Sequence, residues 1–494
     1  MEQPIDNLRS ERLAKLQKIK DLGINPYPSE PVKGVAIATI RDLENGRPKP
    51  GDFDVSGRVL GYRGHGKLIF LDLRDESGQI QLCLKADKIP ADLFELVKLL
   101  DVGDFIHAHG SLFITTAGEL SILVTELKLL NKSIRPLPPE HFGLKDTEER
   151  YRRRYLDLII NKDAKKILDI RWQMEKEIRK FLWDQKFTEV ETPVLQSLYG
   201  GTNAKPFTTH FNALGKDFYL RVAPELYLKR LSIGGYERVF EIARNFRNEG
   251  IDHSHSPEFT MLEWYEAYAD YQRVMDLAEA LLKHLAKTIL GTTKINIKGA
   301  AVEIGGKWAR KTVDELVKEH LGIDWVSITE AEVKTLQEKL NVEVRGTWSR
   351  DKALFAIFDH EVTGKLVEPT WAIDYPIAVS PLSHEHRSKA GRAERFEGYL
   401  GGVEVFDGWS EIVSGIEQRS RFENEQKNMK AGDAEAMPLD EDFIEALEYG
   451  CPPLGGIGFG VDRLAMFLTD TWAIKEVIAF PTLKPKETRE DDKS

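Results

Sequence analysis

The chain has 494 residues, enough for two or three domains with ample core. Its formal net charge of -11 excludes a globally basic, nucleic-acid-coating protein, so any RNA contact must be local. Two distant cysteines, Cys83 and Cys451, support neither a disulfide framework nor a zinc site, and no apolar run suits a signal core or a bilayer span, which predicts a soluble cytoplasmic protein without a membrane partner.

Residues 7 to 22 carry Leu8, Leu13, Leu16, Ile19 and Leu22 at helical spacing, within an N-terminal extension of residues 1–50. This helix is expected to pack on its own domain or, through Arg9, Arg12, Lys15, Lys18 and Lys20, to face RNA. From Asp52 the texture changes to short strands: Val55–Leu60, Leu68–Leu73, Ile80–Leu84, Phe105–His109 and Leu120–Val124, with a helical piece, Ala91–Leu100, after the third. Five strands with a helix in that place form the layout of an OB-fold, a small β-barrel that binds oligonucleotides, here over residues 51–131. Unpaired bases need planes to stack on and polar groups to bond. Arg63, Phe70, Gln81 and Glu126 supply those types, although a strand phenylalanine is ordinarily a core residue. A linker over 132–155 is marked by Pro136, Pro138 and Pro139, then by Arg150 and Arg152–Tyr155. That arginine run reads as solvated surface or, with an RNA partner, as the wall of its path between domains.

A second domain spans 156–494. Ala164–Lys186 places Ile167, Ile170, Met174, Ile178 and Phe181 on one helix face, and Phe187–Pro193 follows as a strand ended by proline. Tyr236–Ala243 and Phe259–Tyr265 mix β-branched and aromatic residues as paired strands do, and between them lies a polar loop holding Arg247 and Glu249. Such a loop would grip a triphosphate against a small acid, because a guanidinium neutralises phosphate and carboxylate oxygens through a planar fork. Charged helical segments, Val313–Leu321 and Ala331–Leu340, mark an insertion over about 292–365. Glu397 and Glu404 flank a Gly-Gly turn and are either surface charge or oxygen ligands for a metal. His253 with His255, and His384 with His386, lack partners at ligand spacing and do not read as zinc pairs. Last, Gly455–Thr469 is a glycine-rich strand running into a helix, where backbone approaches a flat ligand closely and Arg463 sits in the anion-favouring first turn.

Phe246-Arg-Asn-Glu-Gly250 followed by His255-Ser-Pro-Glu-Phe259 resembles motif 2 of the class II aminoacyl-tRNA synthetases, in the version used by the lysine, aspartate and asparagine enzymes. Gly455–Thr469 resembles motif 3, and 164–193 resembles motif 1, which in that family builds a homodimer interface. The resemblance implies an α+β catalytic domain, an antiparallel sheet flanked by helices, behind the OB-fold. It also implies ATP as substrate with Mg2+. Arg247 would bridge the amino-acid carboxylate and the α-phosphate, while Arg463 would hold the γ-phosphate. Glu249 and His255 would lie by the adenine and the phosphate tail, Phe259 would stack on the base, and Glu397 with Glu404 would hold the metal. In the barrel, Arg63, Phe70, Gln81 and Glu126 fall where relatives carry anticodon-reading side chains.

Leu220–Lys229 and Gly200–Phe207 are similar to segments of the lysine branch of that family. On that likeness Glu225 would bind the substrate α-amino group under the loop of Gly201, and Glu263, Tyr265 and Glu411 would surround the side-chain ammonium. Carboxylates are needed there because an unpaired buried cation is costly. The implied reaction joins lysine to ATP as lysyl-adenylate and passes the acyl group to tRNA-Lys. Glu404–Ser414 departs from that branch: Asp407 replaces an asparagine that would touch the substrate carboxylate, Trp409 replaces a smaller aromatic, and Val413–Ser414 replace Asn-Asp. Three alternatives stay open: an aspartate- or asparagine-type ligase, against which Glu411 speaks; a catalytically decayed RNA-binding paralogue; and a relative that lysylates an elongation factor, against which the barrel speaks.

Overall fold

The computed structural model describes residues 5–42, 51–138, 144, 146–253, 255–344, 347–430 and 436–485; Pro139 of the expected linker lies outside them. The chain divides into two compact units, Met1–Leu144 and Lys145–Ser494. Among the described residues no helix is long and apolar enough to cross a membrane.

In the first unit β1 (Asp52–His65), β2 (Leu68–Arg74), β3 (Gln79–Lys85), β4 (Phe105–Ile114) and β5 (Leu120–Asn131) close into a barrel in the order β1-β2-β3-β5-β4. Alternation places Val55, Val59, Ile69, Leu71, Leu82 and Ile122 inside, so the period of two in the sequence becomes a sealed core. Helix Ala91–Leu99 follows β3, as an OB-fold requires. The N-terminal helix is Ile5–Asp21, and two of its basic residues face inward. Arg12 donates to the carbonyls of Val102 and Arg135, both at 3.0 Å, and Lys15 pairs with Asp101 at 2.6 Å. At these positions the helix is tied to the barrel and does not face RNA.

In the second unit β6 (Thr188–Glu189) starts the main sheet, and β7 (Leu195–Gln196), β8 (Thr208–Phe211) and β9 (Lys216–Leu220) form a small side sheet. β10 (Arg238–Phe246) and β11 (Glu258–Ala267) are the strands around the Arg247 loop. After a hairpin, β12 (Lys294–Ile297) with β13 (Ala300–Glu303), come β14 (Ala309–Thr312), β15 (Thr370–Ile373), β16 (Arg395–Leu400), β17 (Val403–Ser410) and β18 (Leu454–Gly460). The eight-stranded sheet runs β14-β15-β16-β17-β18-β11-β10-β6 and is antiparallel except at its two edge pairings. Helices Lys162–Asp184, Tyr271–Leu285 and Val461–Thr469 cover one face, burying Met174, Val274 and Leu464 against Phe240, Trp264 and Phe459. Each such side chain contributes about 1.5–3 kcal/mol. That closed face leaves the other free to carry a cleft.

Three expectations change. The strand expected over Phe187–Pro193 is only Thr188–Glu189. Residues expected as linker are helical at Thr147–Arg152 and Arg154–Ile160, inside the second unit. There the arginine run is divided: Arg153 is exposed, whereas Arg154 is fully buried as an anchor, pairs with Asp157 at 2.8 Å and donates to the Lys475 carbonyl at 2.7 Å. In the stretch expected as an insertion, helices Val313–Leu321 and Glu330–Leu340 start at Thr312 and Thr329 capping boxes and share a core with Arg350–Glu361, around Leu316, Trp325 and Phe358. β14, from the same stretch, extends the main sheet instead.

Candidate active site

Strand alternation builds the cleft. Register sets Met261, Glu263 and Tyr265 of β11 opposite Gly460, Gly458 and Gly456 of β18, while Asp407 and Trp409 of β17 oppose Gly458 and Gly456 from the other side. The floor is therefore bare backbone between two walls of side chains. A Cβ on Gly456 would come within 2.3 Å of Glu411 Oε1 and 2.4 Å of the Tyr265 ring, so glycine there is a packing requirement. Above the floor, a cavity of about 360 Å³ is lined by Gly201, Glu225, Arg247, Glu249, His255, Phe259 and Arg463 as well as by the walls. Of the fourteen residues to which the sequence points for this site, Glu397 and Glu411 are the two that do not line the cavity.

Arg247 continues the alternation of β10, and its backbone N–H donates to the Pro257 carbonyl at 2.9 Å, closing the loop. Its guanidinium stacks 5.0 Å from the centre of the Phe259 ring and lies 3.7 Å from Met261 Sδ, with Nε buried and without a partner among the described residues. Burial lowers its pKa, and Glu249, Glu263 and Glu404 oppose that shift. His255 is exposed at the rim, 2.8 Å from Asp252. Arg463, in the first turn of Val461–Thr469, donates to the Glu404 carbonyl at 2.9 Å. The neighbouring Asp462 fixes that turn: it accepts the Thr260 N–H at 2.6 Å and pairs with Arg171 of helix Lys162–Asp184. One buried carboxylate thus ties motifs 1, 2 and 3 together.

At the other end stand the carboxylates. Gly201 has φ +93° and lies against Glu225, whose carboxyl burial raises. Burial likewise raises Glu263 well above its ordinary range, though Tyr265 Oη donates to it at 3.2 Å. Glu411 lies just beyond the cleft, behind Trp409, whose indole Nε1 donates to Glu411 Oε2 at 2.7 Å. Sequence reasoning missed what holds it there. Lys229, only 1% exposed, places its ammonium 2.5 Å from Glu225 Oε1 and in contact with Glu411 Oε2, 5.9 Å from the Tyr265 ring centre and 6.0 Å from that of Trp409. Burial opposes its charge, yet the two carboxylates hold it above the ordinary lysine range. Glu411 is lifted by burial to about 8, against the pull of Lys229.

Asp407 is the departure that threatened repulsion. Arg395 answers it with a bidentate pair, at 3.0 and 2.9 Å, and reaches Glu397 at 2.7 Å with the same fork. Glu397 also accepts from Tyr399 Oη, so both its oxygens are engaged behind the wall, while Glu404 faces the cleft. Two carboxylates on adjoining strands suit a hard cation, and among the described residues no three acidic, histidine or cysteine side chains cluster as a cage. The donor set fits an ion bound largely by substrate oxygens.

In the barrel, register sets Arg63 opposite Phe70 and Asp72 opposite Gln81 on the outer face, where Arg63 is forked onto Asp72 at 2.7 and 2.8 Å and Gln81 accepts from Ser121 at 2.9 Å. Phe70 is half-buried and so is not a core ring. An irregularity between His109 and Gly110 turns Glu126 outward opposite His109, five residues along β5 from Ser121. Arg63, Phe70 and Gln81 are brought together; Glu126 lies roughly 16 Å along the strand from Ser121, the partner of Gln81.

Comparison with known proteins matches this architecture. The family described as tRNA synthetases class II (D, K and N) matches residues 146–484, and the OB-fold nucleic acid binding domain matches 53–130. The chain belongs to the class II tRNA synthetases of this group. The lysine–tRNA ligase of Gloeobacter violaceus is 45% identical over 97% of this chain and 99% of its own length. Lysine–tRNA ligase 2 of Methanosarcina mazei is 45% identical over 96% of this chain and 94% of its own, and the lysine–tRNA ligase of a Thermoanaerobacter species is 42% identical over 98% and 97%. As a class II synthetase it is an ATP-dependent enzyme with an anticodon-binding barrel ahead of its catalytic unit.

Proposed function

We propose that this synthetase activates lysine with ATP and transfers it to tRNA-Lys. The observation that carries this reading is a cleft with two arginines toward one end and buried Glu225 and Glu263 toward the other, beside Glu411. The arginines suit a triphosphate and a substrate carboxylate; the glutamates suit two ammonium groups. Full-length identity to lysine–tRNA ligases supports the same choice.

Activation brings two anions together, so positioning and cationic stabilisation supply most of the rate, and no covalent residue is needed. Arg247 holds the attacking carboxylate against the α-phosphate, and Phe259 presents a ring to the adenine. Arg463, at a helix N-terminus, holds the γ-phosphate, with Glu249 and His255 at the rim. Magnesium, when bound, screens the triphosphate charge; Glu404 would ligate it directly, and Glu397 is oriented behind it by Arg395 and Tyr399. Glu225 and the Gly201 loop take the α-ammonium, while Glu263, Tyr265 and Glu411 take the distal one. Asp407, neutralised by Arg395, and the broad Trp409 bound the slot. Arg63, Phe70, Gln81 and Glu126 read the anticodon, and the half-exposed Trp172 and Trp183 of the motif 1 helix suit a homodimer contact.

An acidic substrate would welcome the buried Lys229, which is the observation favouring an aspartate-type ligase. Lys229 is already held by two carboxylates, so the pocket still asks for a cation. The test is amino-acid-dependent exchange of pyrophosphate into ATP. Lysine is expected to drive it, and Arg247→Ala is expected to lower it about a hundredfold or more. Exchange driven by aspartate or asparagine and not by lysine would refute the reading.

A further inference from the structure

Three carboxylates, Glu225, Glu263 and Glu411, crowd one buried pocket, and carboxylates this close cannot all ionise unaided. Lys229 is the buried ammonium among them. It lies one helical turn beyond Glu225 on Glu225–Ile233 and takes one oxygen from Glu225 and one from Glu411. Trp409 donates to that same Glu411 oxygen, so both donors crowd Oε2 and leave Oε1 buried and without a partner among the described residues. An unpartnered carboxylate oxygen in such a place asks for a donor.

We infer that Lys229 is a positioning residue for the distal ammonium of the substrate: it holds Glu225 and Glu411 in place, eases their ionisation as the substrate enters, and turns Glu411 Oε1 toward the incoming cation. This rests on the lysine reading above. Once the three carboxylates are ionised in the complex, one ammonium among them leaves two negative charges, the complement of an amino acid bearing two ammonium groups. A substrate with a neutral side chain leaves Glu411 holding its proton and gains no ion pair there, and is disfavoured on that ground. Lys229 does not leave its seat on binding, since its withdrawal would strand a charge in a closed interior. The other groups facing Glu411 are Glu225 from the same helix as Lys229, Tyr265 from β11, Trp409 from β17 and the half-buried Cys451; Glu263 and Asp407 act on Glu225.

The test measures lysine-dependent ATP–pyrophosphate exchange by the full chain and by Lys229→Met across neutral and alkaline pH. The variant is expected to raise the lysine KM at least about tenfold near neutral pH, with the pH at which that KM turns displaced upward by about one unit or more. The KM for ATP, read in parallel, is expected to stay within about twofold. A lysine KM and pH profile equal to those of the parent overturn the inference, as does a fall in kcat with the profile unmoved. A parent protein that shows no lysine-driven exchange refutes the lysine reading instead, so the two failures are separable. Should Lys229→Met not fold, Lys229→Met combined with Glu411→Gln removes one charge of each sign and is expected to recover folded protein; a pair no better than the single variant counts against the role.

Discussion

Glu411 Oε2 receives both an indole N–H and an ammonium, and burial still lifts its carboxyl to about 8. A carboxyl raised in this way holds its proton more tightly folded than unfolded. Its contribution therefore favours the fold below the ordinary carboxylate range near 4.5 and is lost as pH rises through about 8. Binding an ammonium demands the ionised form, so below about pH 8 lysine must displace a proton. The lysine KM of the parent enzyme is expected to rise as pH falls from about 8.5 to about 6.5, by up to about tenfold per unit, with the KM for ATP much flatter. A lysine KM constant over that interval would count against the assignment of Glu411. Asp407 shows the converse at residue scale: a charge that looked repulsive in the sequence is matched by both arms of Arg395.

At the scale of elements, Asp462 joins the first turn of Val461–Thr469 to β11 through Thr260 and to helix Lys162–Asp184 through Arg171. Truncating it takes one of two carboxylates from a buried guanidinium and strands the Thr260 N–H. Asp462→Ala is expected to destabilise the catalytic unit by about 3–5 kcal/mol, read as a lower urea midpoint. Longer elements were legible in the sequence: Val313–Leu321 falls where it was read as a charged helical segment, and the glycine-rich strand runs into its helix at Gly460. Ala309–Thr312 was not, and the strand read over Phe187–Pro193 shrinks to Thr188–Glu189, because two to four residues carry no period and gain their identity from the strand beside them. The cleft residues were readable because motif 2 and motif 3 cluster them locally. Lys229 and Arg171 were hidden for the opposite reason: each looks like an ordinary helical cation until a distant strand or helix supplies Glu411 or Asp462.

On the scale of the whole molecule, the barrel has its own sealed core and the catalytic unit another, with division at Leu144. Activation chemistry needs only the second. A chain lacking residues 1–144 is expected to keep lysine-driven exchange within about threefold and to lose at least about tenfold in aminoacylation of tRNA-Lys at low tRNA, since base stacking is worth about 1–3 kcal/mol per base. Loss of exchange in that deletion would show that the units are not energetically separate. An acidic chain with a net charge of -11 also depends on localised contacts for its RNA, so raised salt should weaken aminoacylation far more than activation.

The glycine floor at 456, 458 and 460 carries a consequence for altering this enzyme. With no side chains beneath the guest, there is nothing below it to exchange for another chemistry; a Cβ at Gly456 collides with Glu411 and Tyr265, and one at Gly458 presses on Met261. Redesign for a different amino acid must proceed from the flanks, at Glu263, Tyr265, Asp407 and Trp409. Lineages that diverge in preference are expected to record their history in those flanking positions while the bare strip stays unchanged.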